Sequence, residues 1–234
     1  MRVIGNGEPS LIFVHGYCCA AEDWDRQLDG LSARFRCIAV DLPGHGQSAL
    51  PETVSIEALA QAVNRVKAEA GGGGAILIGH SLGCRVVIEA YHQSPAGIAG
   101  VVLVDGGEFT GDFDATMTLL IDRIDRGGID AMTTEAFDGM FAKGSDPDVK
   151  RRIVARALRV DPDFRRELLV QLVRWDFGKG DDAMKRLAVP VLALQSTYLT
   201  ADLKMASLEP GMTTPCHRRA LRVVADSTRR RSAL

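Results

Sequence analysis

The chain has 234 residues, with 28 Lys and Arg against 30 Asp and Glu, so its formal net charge at pH 7 is −2. This length fits one domain, or one core with an inserted subdomain, and the balanced charge excludes a global field that attracts nucleic acid or an anionic membrane. No apolar run approaches the ~20 residues that span a bilayer, and the first residues, up to Pro9, are too short and too rich in Gly for a signal peptide. We therefore expect a cytoplasmic protein whose partner is a small, neutral or weakly polar molecule.

Cysteine usage points the same way. The five cysteines are Cys18, Cys19, Cys37, Cys84 and Cys216. Because their number is odd and their spacing does not match a metal site, the pattern predicts small packing residues in a reducing compartment. We expect neither a metal nor a cofactor.

Five short apolar runs, rich in Val, Ile and Leu, recur with helix-length stretches between them. They are residues 11–14, 37–40, 75–78, 101–104 and 191–194. Because the runs lack period-2 alternation, they are typical of strands buried on both faces of a parallel sheet. Between the second and third runs, Ser55 is predicted to cap a helix that ends by Gly71. The order predicts an α/β fold with a doubly wound, mostly parallel sheet.

Residues 79–83 read Gly-His-Ser-Leu-Gly, directly after the third run and directly before helix-like residues 85–90. A G-x-S-x-G between a strand and a helix is typical of a nucleophile elbow. The two glycines are required because a side chain at either position would strike the neighbouring strand or helix while the serine hydroxyl is held out for attack. The sequence therefore predicts Ser81 as a nucleophile.

Residues 110–187 break the alternation of strands and helices. Their apolar residues follow helical spacing, and residues 145–148 and 161–163 look like helix starts with proline at the first position. A crossover needs only about a dozen residues or a little more, so this length predicts a helical lid. We expect a core of residues 1–109 and 188–234 with the lid at residues 110–187.

Three turn segments together resemble the α/β-hydrolase superfamily, in its esterase and lactonase branch. They are His15-Gly16 after the first run, residues 41–48 (Asp-Leu-Pro-Gly-His-Gly-Gln-Ser) after the second, and residues 79–83 after the third. The resemblance covers nearly the whole chain up to about Pro215. It implies an α/β-hydrolase core that is reduced at both ends, with five or six strands, because the first strand is expected to begin at about Leu11.

The resemblance also implies an oxyanion hole made by the backbone N–H groups of Tyr17 and Leu82, which would stabilise the negative charge of a tetrahedral intermediate. The candidate substrate-binding residues are His15, Gly16, His80 and Trp175. The alternative for the two imidazoles is a hydrogen bond to local backbone. The alternative for the tryptophan is to anchor its own helix rather than to cover the pocket.

A catalytic serine needs a base beside it, and the base needs an acid to hold its tautomer. The order of serine, acid and histidine leaves two candidate acids, Asp105 at the tip of the fourth run and Asp202 after the fifth. The usual family position, in residues 195–198, carries no carboxylate. Haloalkane dehalogenases place the acid after the preceding strand, which corresponds to Asp105, and we favour Asp105 for this reason.

The base is harder to identify. Family members carry Gly-His shortly after the last strand, but the strand-like residues 221–227 are followed by Thr and three Arg residues. An arginine does not give up its proton at working pH. His217, the only histidine after His92, is the remaining candidate because geometry rather than order decides the role. The tail from His217 onward is either a truncated or frame-shifted terminus or a genuine variation.

Together these features predict a serine hydrolase that cleaves a small carboxylic ester or lactone through a Ser81 acyl-enzyme. The serine argues against epoxide hydrolase and dehalogenase chemistry, since those relatives use aspartate at this position. Carbon–carbon bond hydrolase, thioesterase and perhydrolase reactions stay open. The alternative from another class is a catalytically weak, receptor-like ligand-binding protein, because the base is not visible. The oligomeric state is also left open.

Overall fold

The computed structural model describes residues 1–71, 73–141 and 144–194, which form a six-stranded sheet flanked by helices. The strands are β1 (Arg2–Ile4), β2 (Ser10–Val14), β3 (Cys37–Val40), β4 (Ala75–His80), β5 (Ile98–Val104) and β6 (Val191–Leu194). Their order across the sheet is β1-β3-β2-β4-β5-β6, and every neighbouring pair is parallel except β1 with β3. All five predicted runs form strands, so the α/β fold with a mostly parallel sheet is confirmed.

Strand β1 is a correction to the prediction that the first strand begins at about Leu11. It pairs antiparallel with β3 at the edge of the sheet. Its three residues are largely exposed, so they carry no apolar run by which a buried strand could be recognised. The predicted last strand, in residues 221–227, lies outside the described residues.

Helices cover both faces of the sheet. The helical elements before β5 are a 3₁₀ turn (Ala21–Trp24), α1 (Asp25–Leu31), α2 (Ile56–Glu69) and α3 (Leu82–Gln93). The predicted cap of α2 is confirmed, because the Ser55 side chain accepts a hydrogen bond from the Ala58 N–H at 3.1 Å. Side chains that alternate along β2 enter two separate apolar clusters: Phe13 packs with Trp24 on the α1 side, and Ile12 packs with the α2 and α3 side.

The chain between β5 and β6 is helical. It contains α4 (Phe113–Met140), α5 (Pro147–Ala157), α6 (Pro162–Trp175), a π-helical turn (Asp176–Gly180) and α7 (Asp181–Lys185). Both predicted helix starts are present, since Asp146 and Asp161 cap α5 and α6 ahead of their first prolines. Helix α4 is kinked at Gly128, whose φ is 79°. That this segment acts as a lid stays a prediction.

Within the described ranges, none of the helices is both long enough and apolar enough to cross a bilayer.

Candidate active site

Ser81 occupies a strained turn between β4 and α3. Its φ of 52° and ψ of −115° place a non-glycine residue in a conformation that costs free energy and is typical of functional sites. A Cβ on Gly79 would lie 2.3 Å from the Gly83 carbonyl oxygen, and a Cβ on Gly83 would lie 2.4 Å from the Val14 carbonyl oxygen. Both glycines are therefore required by close backbone contacts, as the sequence predicted.

Two other residues share the positive φ of Ser81. In the described part of the chain, the non-glycine residues with positive φ are Cys18, Ser81 and Asp105. All three follow the carboxyl ends of neighbouring parallel strands, β2, β4 and β5. This edge is where open α/β sheets bind ligands.

The turn after β2 lies directly against the elbow. A Cβ on Gly16 would lie 3.2 Å from the Ser81 Cβ and 3.0 Å from the His80 Nδ1, so the two turns are in contact. Leu82 is the first residue of α3, and an N–H at this position has no acceptor within the helix. The helix N-terminus also favours negative charge. The predicted oxyanion donors therefore lie on two adjoining turns.

The Tyr17 side chain contacts the helical segment between β5 and β6. Its hydroxyl donates to the carbonyl oxygen of Arg165, in α6, at 3.2 Å, and burial raises the pKa of the phenol. Arg165 is itself almost fully buried and donates to the Val160 carbonyl oxygen and the Thr133 hydroxyl. The residue that carries a predicted oxyanion N–H is thus tied to α6 by its side chain.

Both ring nitrogens of His15 form hydrogen bonds with backbone groups. Its Nε2 accepts from the Leu42 N–H at 3.1 Å, so its Nδ1 carries the proton that is donated to the Gly16 carbonyl oxygen at 2.8 Å. Burial lowers the pKa of His15 to about 4, so the ring is neutral at neutral pH. These contacts support the local-backbone alternative for His15, while Gly16 itself lies against Ser81.

His45 behaves in the same way. Its Nε2 accepts from the Cys18 N–H at 3.3 Å and its Nδ1 lies 3.1 Å from the Pro43 carbonyl oxygen. Burial, followed by the neighbouring His15, lowers the pKa of His45 to about 3. The two rings pack edge to face with centroids 4.8 Å apart, and so hold the turns after β2 and β3 together.

His80 and Asp105 lie side by side at the strand ends. The ring of His80 packs on the edge of Trp24, with centroids 6.4 Å apart, and burial lowers its pKa while the charge of Asp105 opposes that shift. His80 pairs with Val104 in the parallel register of β4 and β5, so Ser81 and Asp105 follow at neighbouring positions. The Asp105 N–H donates to the Leu194 carbonyl oxygen at 2.8 Å. Asp202 and His217 lie outside the described residues.

Trp175 lies at the end of α6 and is 5% exposed. Its indole N–H donates to the Glu89 carboxylate, in α3, at 3.0 Å. This contact supports the alternative in which Trp175 anchors its helix against α3.

The cysteines in the described ranges are free thiols. Burial raises the pKa of Cys19 and of Cys84 to about 12, so both stay protonated at neutral pH. The Cys84 thiol donates to the Gly79 carbonyl oxygen at 3.1 Å, beneath the elbow. Among described residues, no three His, Cys, Asp or Glu side chains come together as a metal site.

The sequence did not identify one group beside the elbow. Arg85, in α3, forms a buried ion pair with Asp176, in the π-helical turn. The sequence does contain a signal for this group, because Arg85 directly precedes the apolar residues 86–88 in a helix that the structure buries on nearly every side. A charged side chain in such a helix must find a partner.

A cavity of about 570 Å³ opens at the same edge of the sheet, on the side of β3. Cys18 and Cys19, just after the Tyr17 turn, form part of its wall, and Arg156 and Asp161 of the helical segment form another part. Ser81 is not among the residues that line it. The cavity therefore adjoins the turn after β2 rather than the serine.

The chain is similar in sequence to known proteins. The model of the alpha/beta hydrolase family matches residues 11–228. The chain is 28% identical over 216 residues to 2-succinyl-6-hydroxy-2,4-cyclohexadiene-1-carboxylate synthase from Escherichia coli O1:K1 / APEC, covering 80% of this chain and 83% of the synthase. It is also 32% identical over 111 residues to the chloroplastic protein PHYLLO from Arabidopsis thaliana, covering 43% of this chain but only 6% of that much longer protein.

The fold is also similar to that of solved structures. An esterase from Exiguobacterium antarcticum superimposes with a TM-score of 0.71 at 20% sequence identity, covering 82% of this chain and 74% of the esterase. At this identity the likeness concerns the fold alone.

Proposed function

Because this chain belongs to the alpha/beta hydrolase family, we propose that it is a serine hydrolase that cleaves a small carboxylic ester or lactone through an acyl-enzyme on Ser81. The observation that carries the proposal is the strained backbone of Ser81 at the N-terminus of α3. The serine lies between Gly79 and Gly83, where a side chain would clash with neighbouring backbone atoms. Strain of this kind persists only where the surrounding structure imposes it.

The reaction has two halves. The Ser81 Oγ attacks the carbonyl carbon of the substrate while its proton passes to a base, and the carbonyl oxygen becomes an oxyanion held by the N–H groups of Tyr17 and Leu82. The intermediate collapses, the alkoxide leaves with the proton from the base, and an acyl ester remains on Ser81. Water then attacks this ester by the same route, and releases the acid and the free serine.

The acid and base complete the proposal. We assign the acid to Asp105, with Asp202 as the alternative, and the base to His217. The support for the acid is that Asp105 follows β5, the neighbour of β4, whose last residue, His80, directly precedes Ser81. The neutral, backbone-bonded rings of His15 and His45 are poor bases, because both of their nitrogens are already engaged.

The substrate is small and neutral or weakly polar. The near balance of charge over the chain supports this, and so does the cavity beside the turn after β2, whose wall carries both signs of charge. In this proposal the helices between β5 and β6 form a lid over the site.

A second candidate reaction is cleavage of a carbon–carbon bond beside a carbonyl group. An elbow serine and an oxyanion hole would serve this reaction equally, since a carbonyl oxygen again gains negative charge.

Burst kinetics with p-nitrophenyl acetate and butyrate test the ester hydrolase directly. We expect a burst of nitrophenol equal to the enzyme concentration, followed by slower turnover, across pH 5 to 9. Loss of a triad member leaves ~10³ to 10⁴-fold acceleration over water, so a weak rate is still measurable. Binding of these esters without a burst would instead support a receptor-like protein, and turnover of a 1,3-diketone alone would support the carbon–carbon reaction.

The same assay tests the base. The His217→Ala variant should lose both the rate and the pH inflection near the usual histidine pKa of ~6.5. His92→Gln is the matched control. The His92 ring contacts the Ala183 carbonyl oxygen at the far end of α3, so we expect this substitution to leave the rate unchanged. A fast parent enzyme whose rate is unchanged in the His217 variant would contradict this base.

A further inference from the structure

Arg85 lies one helical turn after Ser81 and reaches back beneath the elbow. Its side chain is 5% exposed, and its Nε and Nη2 donate to the two carboxylate oxygens of Asp176 at 2.9 and 2.7 Å. Its third nitrogen, Nη1, donates to the main-chain carbonyl oxygen of Ser81 at 3.3 Å. One guanidinium thus joins a buried carboxylate to the backbone of the proposed nucleophile.

The carbonyl that Arg85 holds belongs to the same peptide group as the Leu82 N–H. This peptide is trans, so the Ser81 C=O and the Leu82 N–H point in opposite directions within one rigid plane. The Ser81 carbonyl oxygen also accepts from the Cys84 N–H at 3.0 Å, so Arg85 is its second donor and the only charged one of the two. Donors that fix the direction of the carbonyl therefore fix the direction of the N–H. A positive charge at the carbonyl end also polarises the peptide and makes the N–H a stronger donor.

We infer that Arg85 is a positioning residue for the oxyanion hole, acting through the Ser81–Leu82 peptide to direct and strengthen the Leu82 N–H. The inference rests on the proposed function, in which Leu82 is an oxyanion donor. Arg85 does not meet the substrate itself, because its three donor nitrogens are already directed at Asp176 and Ser81.

Asp176 holds Arg85 in the required orientation. The two-point contact between a guanidinium and a carboxylate fixes the plane of the guanidinium as well as its distance. Asp176 also accepts from the Phe109 N–H at 2.9 Å, so the segment after β5 is joined to the same carboxylate. Stability alone does not account for the pair, since apolar residues of similar volume often replace a buried ion pair without loss.

The test uses the variant Arg85→Met/Asp176→Asn. Removing Arg85 alone would leave a buried, unpaired carboxylate and endanger folding, whereas the double variant removes both charges. The asparagine oxygen still accepts from the Phe109 N–H. Asp176→Asn alone would leave the buried Arg85 guanidinium without its counter-charge, so it cannot replace the double variant.

The first measurement is independent of activity. Labelling with carbonyl-¹³C serine and ¹⁵N leucine gives an NMR correlation only for Ser-Leu pairs, and the sequence has three, at 10–11, 81–82 and 207–208. The peak that disappears in Ser81→Ala belongs to Ser81–Leu82. In the double variant we expect the Ser81 carbonyl carbon and the Leu82 nitrogen to move upfield, as a lost hydrogen bond requires, while the Ser10–Leu11 peak stays in place.

The second measurement is the rate at which a fluorophosphonate labels Ser81. We expect a loss of about tenfold to a hundredfold in the double variant, since deleting one oxyanion donor outright typically costs 10² to 10³ in rate. KM for a p-nitrophenyl ester should stay unchanged while kcat falls. Arg36→Met is the matched control, because the Arg36 Nη1 also donates to a main-chain carbonyl, that of Ala70, away from the elbow.

Each outcome decides the inference. A folded double variant whose Ser81–Leu82 peak does not move overturns it. So does a peak that moves while the labelling rate and kcat equal those of the parent. If the fluorophosphonate does not label the parent protein, the proposed function fails. The NMR peak then still shows whether Arg85 orients and polarises the Ser81–Leu82 peptide.

Discussion

The two halves of the site differ in how the chain builds them. The elbow half consists of turns held by backbone contacts, where a Cβ on Gly79 or Gly83 would lie within 2.5 Å of a carbonyl oxygen. The proposed acid and base half would depend on single side chains that come later in the chain, and of these only Asp105 lies within the described residues. The comparison shows that a site can be predicted from the sequence where the backbone geometry permits only one residue type.

The largest expected effect lies in the acid and base half. Asp105→Asn should lower kcat for p-nitrophenyl butyrate by ~10³ to 10⁴-fold, because a neutral amide no longer holds the tautomer and the charge of the base. Asp202→Asn is the control and should retain the parental rate. The reverse result, an active Asp105 variant and an inactive Asp202 variant, would assign the acid to Asp202.

The elbow half predicts an effect on stability. Gly83→Ala would place a methyl group 2.4 Å from the Val14 carbonyl oxygen and 2.8 Å from that of His15, forcing α3 away from β2. We expect the free energy of unfolding in urea to fall by about 3 kcal/mol. Gly30→Ala, in α1, meets nothing within 4 Å and should stabilise the protein by about 0.5 to 1 kcal/mol. Equal stability of the two variants would show that the elbow tolerates a side chain.

The turns beside the elbow predict a pH dependence. The pKa of His15 is about 4 and that of His45 about 3 in the folded protein, both below the usual ~6.5. The unfolded chain therefore binds more protons below pH 6.5, so stability is complete above that pH and falls as the pH drops. Between pH 6.5 and 5 each histidine should cost about 2 kcal/mol of unfolding free energy.

Urea denaturation at pH 5, 6 and 7 measures this slope. The pKa of His80 is also lowered by burial, so three histidines contribute to the slope. His45→Gln removes one of them and should reduce the pH dependence by about 2 kcal/mol between pH 6.5 and 5, whatever its effect on stability at pH 7. A stability that rises as the pH falls from 6.5 would contradict the buried, neutral rings.

The sequence predicted the fold and the elbow for physical reasons that can be named. Strands buried on both faces need continuous apolar runs, and prolines at the first positions of α5 and α6 follow capping aspartates. The short strand β1 was missed because it is exposed and has no such run. The Arg85–Asp176 pair was missed because its partners are 91 residues apart, and only the folded chain brings them together.

Mass spectrometry of the intact protein after treatment with a fluorophosphonate tests the central claim most directly. We expect one phosphonyl group per chain, located on Ser81 by peptide mapping, with labelling abolished in Ser81→Ala. Ser32→Ala, whose exposed hydroxyl contacts the Asp29 carbonyl oxygen, is the matched control and should label as the parent does. Stoichiometric labelling that persists in Ser81→Ala, or that maps to a different residue, would contradict Ser81 as the nucleophile.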